Sequence, residues 1–332
     1  MGVLMLVEPG QLGGTTSTKY RLFIVGENGQ IARSVTAGIQ SAGWHLPRFS
    51  VAGQSVYFLD GDRDLKVSRP DGSVGVVGQL PGDSTDRVVF AVSPDEQQIA
   101  YSVLHYASGG AVTTSLRVGP LATLNAHEIF SGSIIEFPIG WRAGQLVIVV
   151  TRFGVIQNNG EVNPYFADAY HVADAATANR TYSTSPTCDD PSSLEGPVNG
   201  YGTACQQSSG STQTILAMGW DGTSKQLFHA VIDGKANAVP PEVLSPDGTR
   251  AAAALAAGNQ IKLLSGGAAT TTAASGTPAG WFDATHLLFM TSPGAAAVLD
   301  VSSNKVTAVA SGLTGQSDPF APFFVPLPNS LV

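Results

Sequence analysis

Charge is scarce in this chain. Only 13% of its 332 residues are Asp, Glu, Lys or Arg, about half the ~25% typical of soluble domains. The 17 basic residues form no cluster and the formal net charge is −8, which excludes non-specific nucleic-acid binding, since that needs clustered Lys and Arg. Long apolar runs are missing too: nothing approaches the ~20 residues of a membrane helix. Met1 to Val7 is apolar but is cut off by Glu8-Pro9-Gly10, too early for a signal core and with no basic segment before it. Either the protein is cytoplasmic, or its targeting segment lies outside this sequence.

Cysteine is nearly absent. Cys188 and Cys205 are the only two, and they enclose 16 residues rich in Pro, Ser and Gly. A disulfide closing such a loop would stabilise the fold by ~3 kcal/mol in the chain-entropy model, and disulfides persist in oxidising compartments. The alternative is two unpaired small core residues in a cytosolic protein. The Cys188–Cys205 bridge, and with it an extracytoplasmic location, is the expectation. Catalytic signatures are missing as well: there is no Gly-x-Ser-x-Gly elbow, Walker A loop, Gly-x-Gly-x-x-Gly or His-Glu-x-x-His. The six histidines (45, 105, 127, 171, 229 and 286) are scattered without metal-ligand spacing. Asp60-Gly61-Asp62-Arg63-Asp64 has alternating carboxylates but lacks the glycine and the closing glutamate of a calcium loop, and reads as a polar hairpin turn. The sequence therefore assigns no catalytic residue, no metal and no cofactor.

What the chain has in abundance is turns, with 38 Gly and 20 Pro. The best made is Leu244-Ser245-Pro246-Asp247-Gly248-Thr249-Arg250, set between two apolar strands. Pro246 presets φ, Asp247 can bond its own backbone, and Gly248 accepts positive φ. Ser93-Pro94-Asp95-Glu96 repeats the design without the glycine. Anchors at Ser50, Ser93 and Trp141 are 43 and 48 residues apart, and Ser245, Trp281 and Asp318 are 36 and 37 apart. The 104 residues from Trp141 to Ser245 fit two units plus an insertion or degenerate unit at about 153–213. Around Ser50 four strands fall within about forty residues: Arg48–Gly53, Ser55–Leu59, Leu65–Ser68 and Val74–Val77. Four strands at a period of ~40–45 define propeller blades. Residues 1–40 supply second, third and fourth strands with no first, and 318–328 supply a first strand with nothing after it. The fold class is thus all-β: one β-propeller domain over 1–332 with seven four-stranded blades, or six, its ring closed by a blade shared between the termini.

The turns at Ser93-Pro94-Asp95 and Ser245-Pro246-Asp247-Gly248-Thr249, with Asp64-Leu65-Lys66-Val67 followed by Pro70-Asp71-Gly72-Ser73, resemble the WD40-like repeats of TolB-type propellers. The Gly-His and Trp-Asp pairs of eukaryotic WD40 repeats are absent. The resemblance implies an exported or envelope bacterial protein. It also touches the propellers of prolyl-oligopeptidase-type peptidases, but the blades consume the chain and leave no room for a hydrolase domain.

First strands line a propeller's channel, and Arg48, Arg87, Glu136, Glu242 and Asp318 fall at or just before first strands. They could form a charged rim that binds a small ligand or peptide, or serve as solvated strand ends and blade-to-blade ion pairs. A long loop over 153–166 presents Tyr165 and Phe166, and long loops on rigid scaffolds often carry recognition. The sequence thus points to a non-catalytic exported binding module for a protein, peptide or glycan. An enzyme (lyase or hydrolase) with an axial site, and a structural assembly subunit, are the rivals.

Overall fold

The structure is a computed structural model that describes residues 1–7, 19–39, 48–107, 111–151, 155–156, 162–163, 169–184, 200–231, 238–255, 258–292, 294–315 and 324–327. All regular structure among them is β, and no helix is long and apolar enough to cross a membrane. Seven antiparallel sheets form the blades of a β-propeller, and a two-stranded ribbon, Val155–Ile156 with Val162–Asn163, lies apart from them.

In chain order, blade 1 is Phe49–Ala52, Ser55–Asp60, Asp64–Ser68 and Val74–Gln79, and blade 2 is Arg87–Val92, Gln98–Tyr106, Val112–Pro120 and His127–Gly132. Blade 3 is Ile135–Arg142, Gln145–Thr151, Ala169–Asp174 and Arg180–Thr184. Blade 4 shows three strands among the described residues, Gly202–Ser209, Thr212–Gly219 and Ser224–Val231. Blade 5 is Ala238–Leu244, Ala251–Leu255, Gln260–Ser265 and Ala268–Ser275, and blade 6 is Thr277–Trp281, His286–Ser292, Ala295–Asp300 and Lys305–Ala308. Blade 7 closes the ring: Phe324–Pro326 pairs antiparallel with Gly2–Val7, and Lys19–Val25 and Ile31–Gly38 complete it. Closure by both termini removes the open sheet edges that a linear array would leave.

Burial falls from the axis outward, and the sequence follows it. Second strands such as Gly2–Val7 and Gln145–Thr151 are buried almost throughout and read as continuous apolar runs, because both faces meet a neighbouring blade. Outer strands such as Val74–Gln79 and Lys305–Ala308 are largely exposed, and their valines Val74, Val76 and Val306 face solvent. The apolar side chains collect in seven clusters spaced around the ring. Leu22 and Ile24 meet Val56 and Phe58 between blades 7 and 1, while Leu4 and Phe23 meet Leu288 and Val298 between blades 6 and 7.

Hydrogen bonds staple the gaps between blades. The indole Nε1 of Trp141 donates to the Ala91 carbonyl at 3.1 Å, and that of Trp281 to the Val243 carbonyl at 2.9 Å. Ser50 Oγ accepts from the Val92 N–H at 2.9 Å, and Gln213 bonds both backbone groups of Ala238. Ser50, Trp141 and Trp281 are anchor residues of the repeat, so register and inter-blade contact are set by the same side chains.

The two Ser-Pro-Asp turns share one internal network. Ser93 Oγ donates to Asp95 Oδ1 at 2.6 Å and accepts from the Gln98 N–H at 2.8 Å; Ser245 Oγ donates to Asp247 Oδ1 at 2.6 Å and accepts from the Arg250 N–H at 3.2 Å. The position after the aspartate has positive φ in both, +67° at Gly248 and +58° at Glu96. Glu96 occupies this unfavourable backbone region for a residue with a Cβ, and its carboxylate accepts from the Tyr57 hydroxyl at 2.8 Å.

The stretch that composition marks as low in complexity, from Cys188 to Gln213, contains a strand whose first half, Gly202 to Cys205, is buried. Gly202–Ser209 pairs with Thr212–Gly219 and places Cys205 opposite Leu216. Its run of small residues conceals it, since a strand so close to its neighbours needs little volume: a Cβ on Gly202 would sit 1.7 Å from the Met218 carbonyl oxygen. Cys205 is 1% exposed, a core position rather than the surface loop its flanks suggest. Cys188 lies outside the described residues.

Candidate functional site

Antiparallel strands fix the two ends of the ring. First strands begin, second strands turn into third, and blades connect at one end; the Ser-Pro-Asp turns lie at the other. The expected rim residues that the structure describes map onto the first end with one exception.

Arg48, just before the first strand of blade 1, is buried. Its guanidinium donates to the Gly61 carbonyl, faces Asp62 Oδ1 at 3.4 Å, and lies 5.5 Å from the centre of the Tyr20 ring. Tyr20 in turn donates its hydroxyl to the Leu59 carbonyl. Burial, opposed by nearby Arg48, pushes that phenol above its ordinary range. Arg48 thus ties blade 7 to blade 1 at the rim. Asp60-Gly61-Asp62-Arg63-Asp64 is a hairpin turn, with Asp60 paired to Asp64 and Gly61 at φ +74°. Asp60 accepts from Lys66 Nζ at 2.5 Å and from the Gly38 N–H at 2.7 Å, which together hold its carboxyl below the usual range.

Arg63 donates to the Gly82 carbonyl and so joins this turn to the connection into blade 2. There Asp86, with a side chain 8% exposed, bonds His105 Nδ1 at 2.6 Å and accepts from the Asp83 N–H at 2.8 Å. His105 is half exposed. Asp83 is held below its ordinary range by the Thr85 hydroxyl and N–H. Ligand atoms of Asp83, Asp86 and His105 lie within 4.8 Å of one another, a donor set of hard oxygens and one imidazole that could hold a divalent cation. Next to them Arg87 donates to the carbonyls of Thr85 and Asp86 and stands 5.6 Å from the Tyr106 ring centre.

Glu136, the second residue of blade 3, is buried and reaches across its own blade. Its Oε2 accepts from Arg180 at 2.5 Å and its Oε1 lies 3.7 Å from His171 Nδ1. Burial pushes the Glu136 carboxyl up despite Arg180, while burial and Arg180 together push His171 down. By register Glu136 shares a face with Ile148, which packs against blade 2, and Ser102 of blade 2 donates to the Glu136 carbonyl at 2.6 Å.

Glu242 is the exception. It is the fifth residue of its strand, within the irregularity between Val239 and Val243, and is 1% exposed, so it lies inside the blade rather than at the rim. Asp318, Tyr165 and Phe166 lie outside the described residues. Asp86, His105, His171, Arg180 and Tyr106 carry much of the rim chemistry, and the repeat pattern does not single them out. Asp86 precedes a first strand, His105 and Tyr106 end a second strand, His171 lies near the start of a third, and Arg180 begins a fourth strand at the opposite end and reaches Glu136 by its long side chain, positions where spacing carries no signal.

Fold and rim together define this protein as a seven-bladed β-propeller with a charged, internally paired rim over blades 1 to 3. Among solved structures, it is similar to a chain of the mitotic checkpoint complex at 14% identity and a TM-score of 0.50, covering 94% of this chain and 86% of that one. It is also similar to oligogalacturonate lyase from Vibrio parahaemolyticus at 8% identity and a TM-score of 0.50, covering 87% and 93%. TolB from Acinetobacter baumannii matches at 11% identity and a TM-score of 0.42, covering 98% of this chain and 66% of that one. At these identities the likeness concerns the fold. No protein-family model and no curated protein sequence matches the chain.

Proposed function

We propose that this chain is a non-catalytic, exported binding module of the TolB-like repeat class, whose rim over blades 1 to 3 recognises a protein, peptide or glycan. The observation that carries the reading is the Arg87–Tyr106 stack beside a half-exposed His105 anchored on buried Asp86. Arg and Tyr are the side chains most often found as interface anchors, and here both are fixed before any partner arrives, which lowers the ordering cost of binding. The Ser-Pro-Asp turn network supports the repeat class. Cys188 and Cys205 support export through the disulfide expected between them.

A photo-cross-linker at position 105 tests the site. In native extract it is expected to give one discrete adduct, which disappears on Arg87→Ala and does not form from a cross-linker at Gly72 on the opposite end. An adduct of equal yield from Gly72 would overturn the rim as the recognition site. Thiol titration of the denatured, unreduced protein should find no free thiol; two would remove the bridge and the main support for export.

The rival enzyme reading rests on Asp83, Asp86 and His105 as a cation-holding set. It predicts that manganese protects the protein against unfolding and that His105→Ala abolishes the protection.

A further inference from the structure

A cleft of about 310 Å³ opens between blades 7 and 1, running outward from Asp60 of the rim hairpin toward Gly72 near the other end. That volume is at the lower end of the roughly 300–1,000 Å³ of small-molecule sites. Register sets its walls. Arg33 and Val35, on the outer strand of blade 7, pair with Ile24 and Leu22 and so face blade 1. Opposite them Phe58 and Lys66 are paired, and Ser68 shares their face. Asp60 and Gly72 also line the cleft.

Two polar groups in this cleft lack protein partners among the described residues. Ser68 is 1% exposed and its Oγ, a donor and acceptor, bonds nothing; the buried Nε of Arg33 bonds nothing either. The other end of that guanidinium donates to the Gln54 carbonyl at 3.5 Å, a long hydrogen bond. Buried polar groups are rarely left in this state, because each costs the desolvation of an unmade hydrogen bond. Lys66 and Asp60 neutralise each other at 2.5 Å, so Arg33 is the positive charge left in the cleft lining, and the Asp71 carboxylate, outside the lining, acts on it electrostatically. Around the Arg33 charge the lining offers the hydroxyl of Ser68 and the Lys66–Asp60 donor–acceptor pair, while Ser34 and Thr36, which alternate with Arg33 and Val35, turn their side chains to the other face of the strand. A ligand matching it needs one negative group for Arg33 and hydroxyls within reach of Ser68 and of the Lys66–Asp60 pair.

We propose that the cleft between blades 7 and 1 binds a small, singly charged, polyhydroxylated anion of sugar-acid size, with Arg33 taking its carboxylate and Ser68 one of its hydroxyls. Arg33 is suited to the role, since a guanidinium presents a planar fork of donors to a carboxylate. The site shares Asp60 with the rim hairpin of blade 1 but none of Arg87, His105 and Tyr106, so Arg33 and Ser68 can be changed without touching the recognition group on blade 2.

Titration calorimetry of the full chain with D-glucuronate, with acetate and glucose as single-feature controls, tests the proposal. Glucuronate is expected to bind saturably and at least about tenfold more tightly than either control. Arg33→Gln and Ser68→Ala are each expected to weaken it by about tenfold or more, in line with the loss of a bond to a charged or buried partner. Arg87→Ala, at the rim, should leave it unchanged. Unaltered melting temperatures would show that the cleft variants fold, and Arg33→Lys, which keeps the charge, should retain part of the affinity. No saturable glucuronate binding, equal binding of acetate or glucose, or binding indifferent to Arg33→Gln would overturn the proposal.

Discussion

Arg180→Met should destabilise the protein by about 3 kcal/mol at neutral pH and above, because it leaves the Glu136 charge buried without its cation. The figure is at the low end for a broken buried pair, since Arg180 is 25% exposed and water can partly replace it. The loss should depend on pH, with a sign fixed by the two titrating groups. Burial raises the Glu136 pKa above its ordinary value in the folded protein. The folded state therefore binds that proton more tightly than the unfolded chain, and this group's contribution to stability falls as pH rises from the ordinary carboxylate value through the folded one. Removing Arg180 removes what holds the carboxyl down, so the interval stretches upward and the deficit grows with pH. His171 acts in the same direction. Burial and Arg180 lower its pKa, so it costs the wild type stability as pH falls below the ordinary imidazole value. Without Arg180 that cost shrinks. Urea unfolding at about pH 5 and about pH 8 should show a deficit several-fold smaller at the acid end. Equal deficits at both would sink this account, and Arg180→Lys should recover part of the loss at the alkaline end.

Gly248→Ala is expected to cost about 3 kcal/mol, from two separable sources. One is the backbone: at φ +67° a Cβ costs about 1 kcal/mol or somewhat more. The other is Tyr201 of the preceding segment, whose ring atoms lie 2.3–2.5 Å from where that Cβ would be. Displacing a packed ring costs a further ~1–3 kcal/mol. Gly72 supplies the control, with φ +84° and nothing within 4 Å of the place a Cβ would take. Gly72→Ala should therefore show the backbone cost alone. The difference between the two variants reads the lock between Tyr201 and the turn, and in a Tyr201→Ala background Gly248→Ala should fall to the Gly72→Ala value. If the two glycine variants cost the same in wild-type background, the ring yields freely and the turn is not locked.

The rim divides along a physical line between what is legible in the sequence and what is not. Arg48, Arg87 and Glu136 are legible because a repeat period locates first strands, and charges at their starts fall on one end of the ring. Their partners are not. His171 and Arg180 follow Glu136 by 35 and 44 residues and meet it only because the blade lays its four strands side by side in chain order, which brings side chains of the third and fourth within reach of the face that carries Glu136. Glu242 departs from the rim for a related reason: the irregularity between Val239 and Val243 shifts register within the strand, and no turn residue announces it. The strand at Gly202–Ser209 is hidden by composition, since Gly, Ser and Gln read as loop until a close-packed neighbour excludes anything larger.

The sequence by itself determined the architecture. Turn chemistry at Ser93 and Ser245, a period near forty residues and incomplete blades at the two ends are local or periodic signals. Together they specify a propeller ring of seven or six blades closed by its termini, and the sheet that begins with Gly202–Ser209 makes it seven. Only the tertiary structure decided what the charged residues do. It buries Arg48 and Glu136 among partners from distant strands and sets Arg87 on Tyr106. It also opens a cleft in which Arg33 and Ser68 face each other's blades. Those outcomes depend on which faces of neighbouring blades meet, and the geometry of a closed ring sets that while sequence periodicity carries no record of it.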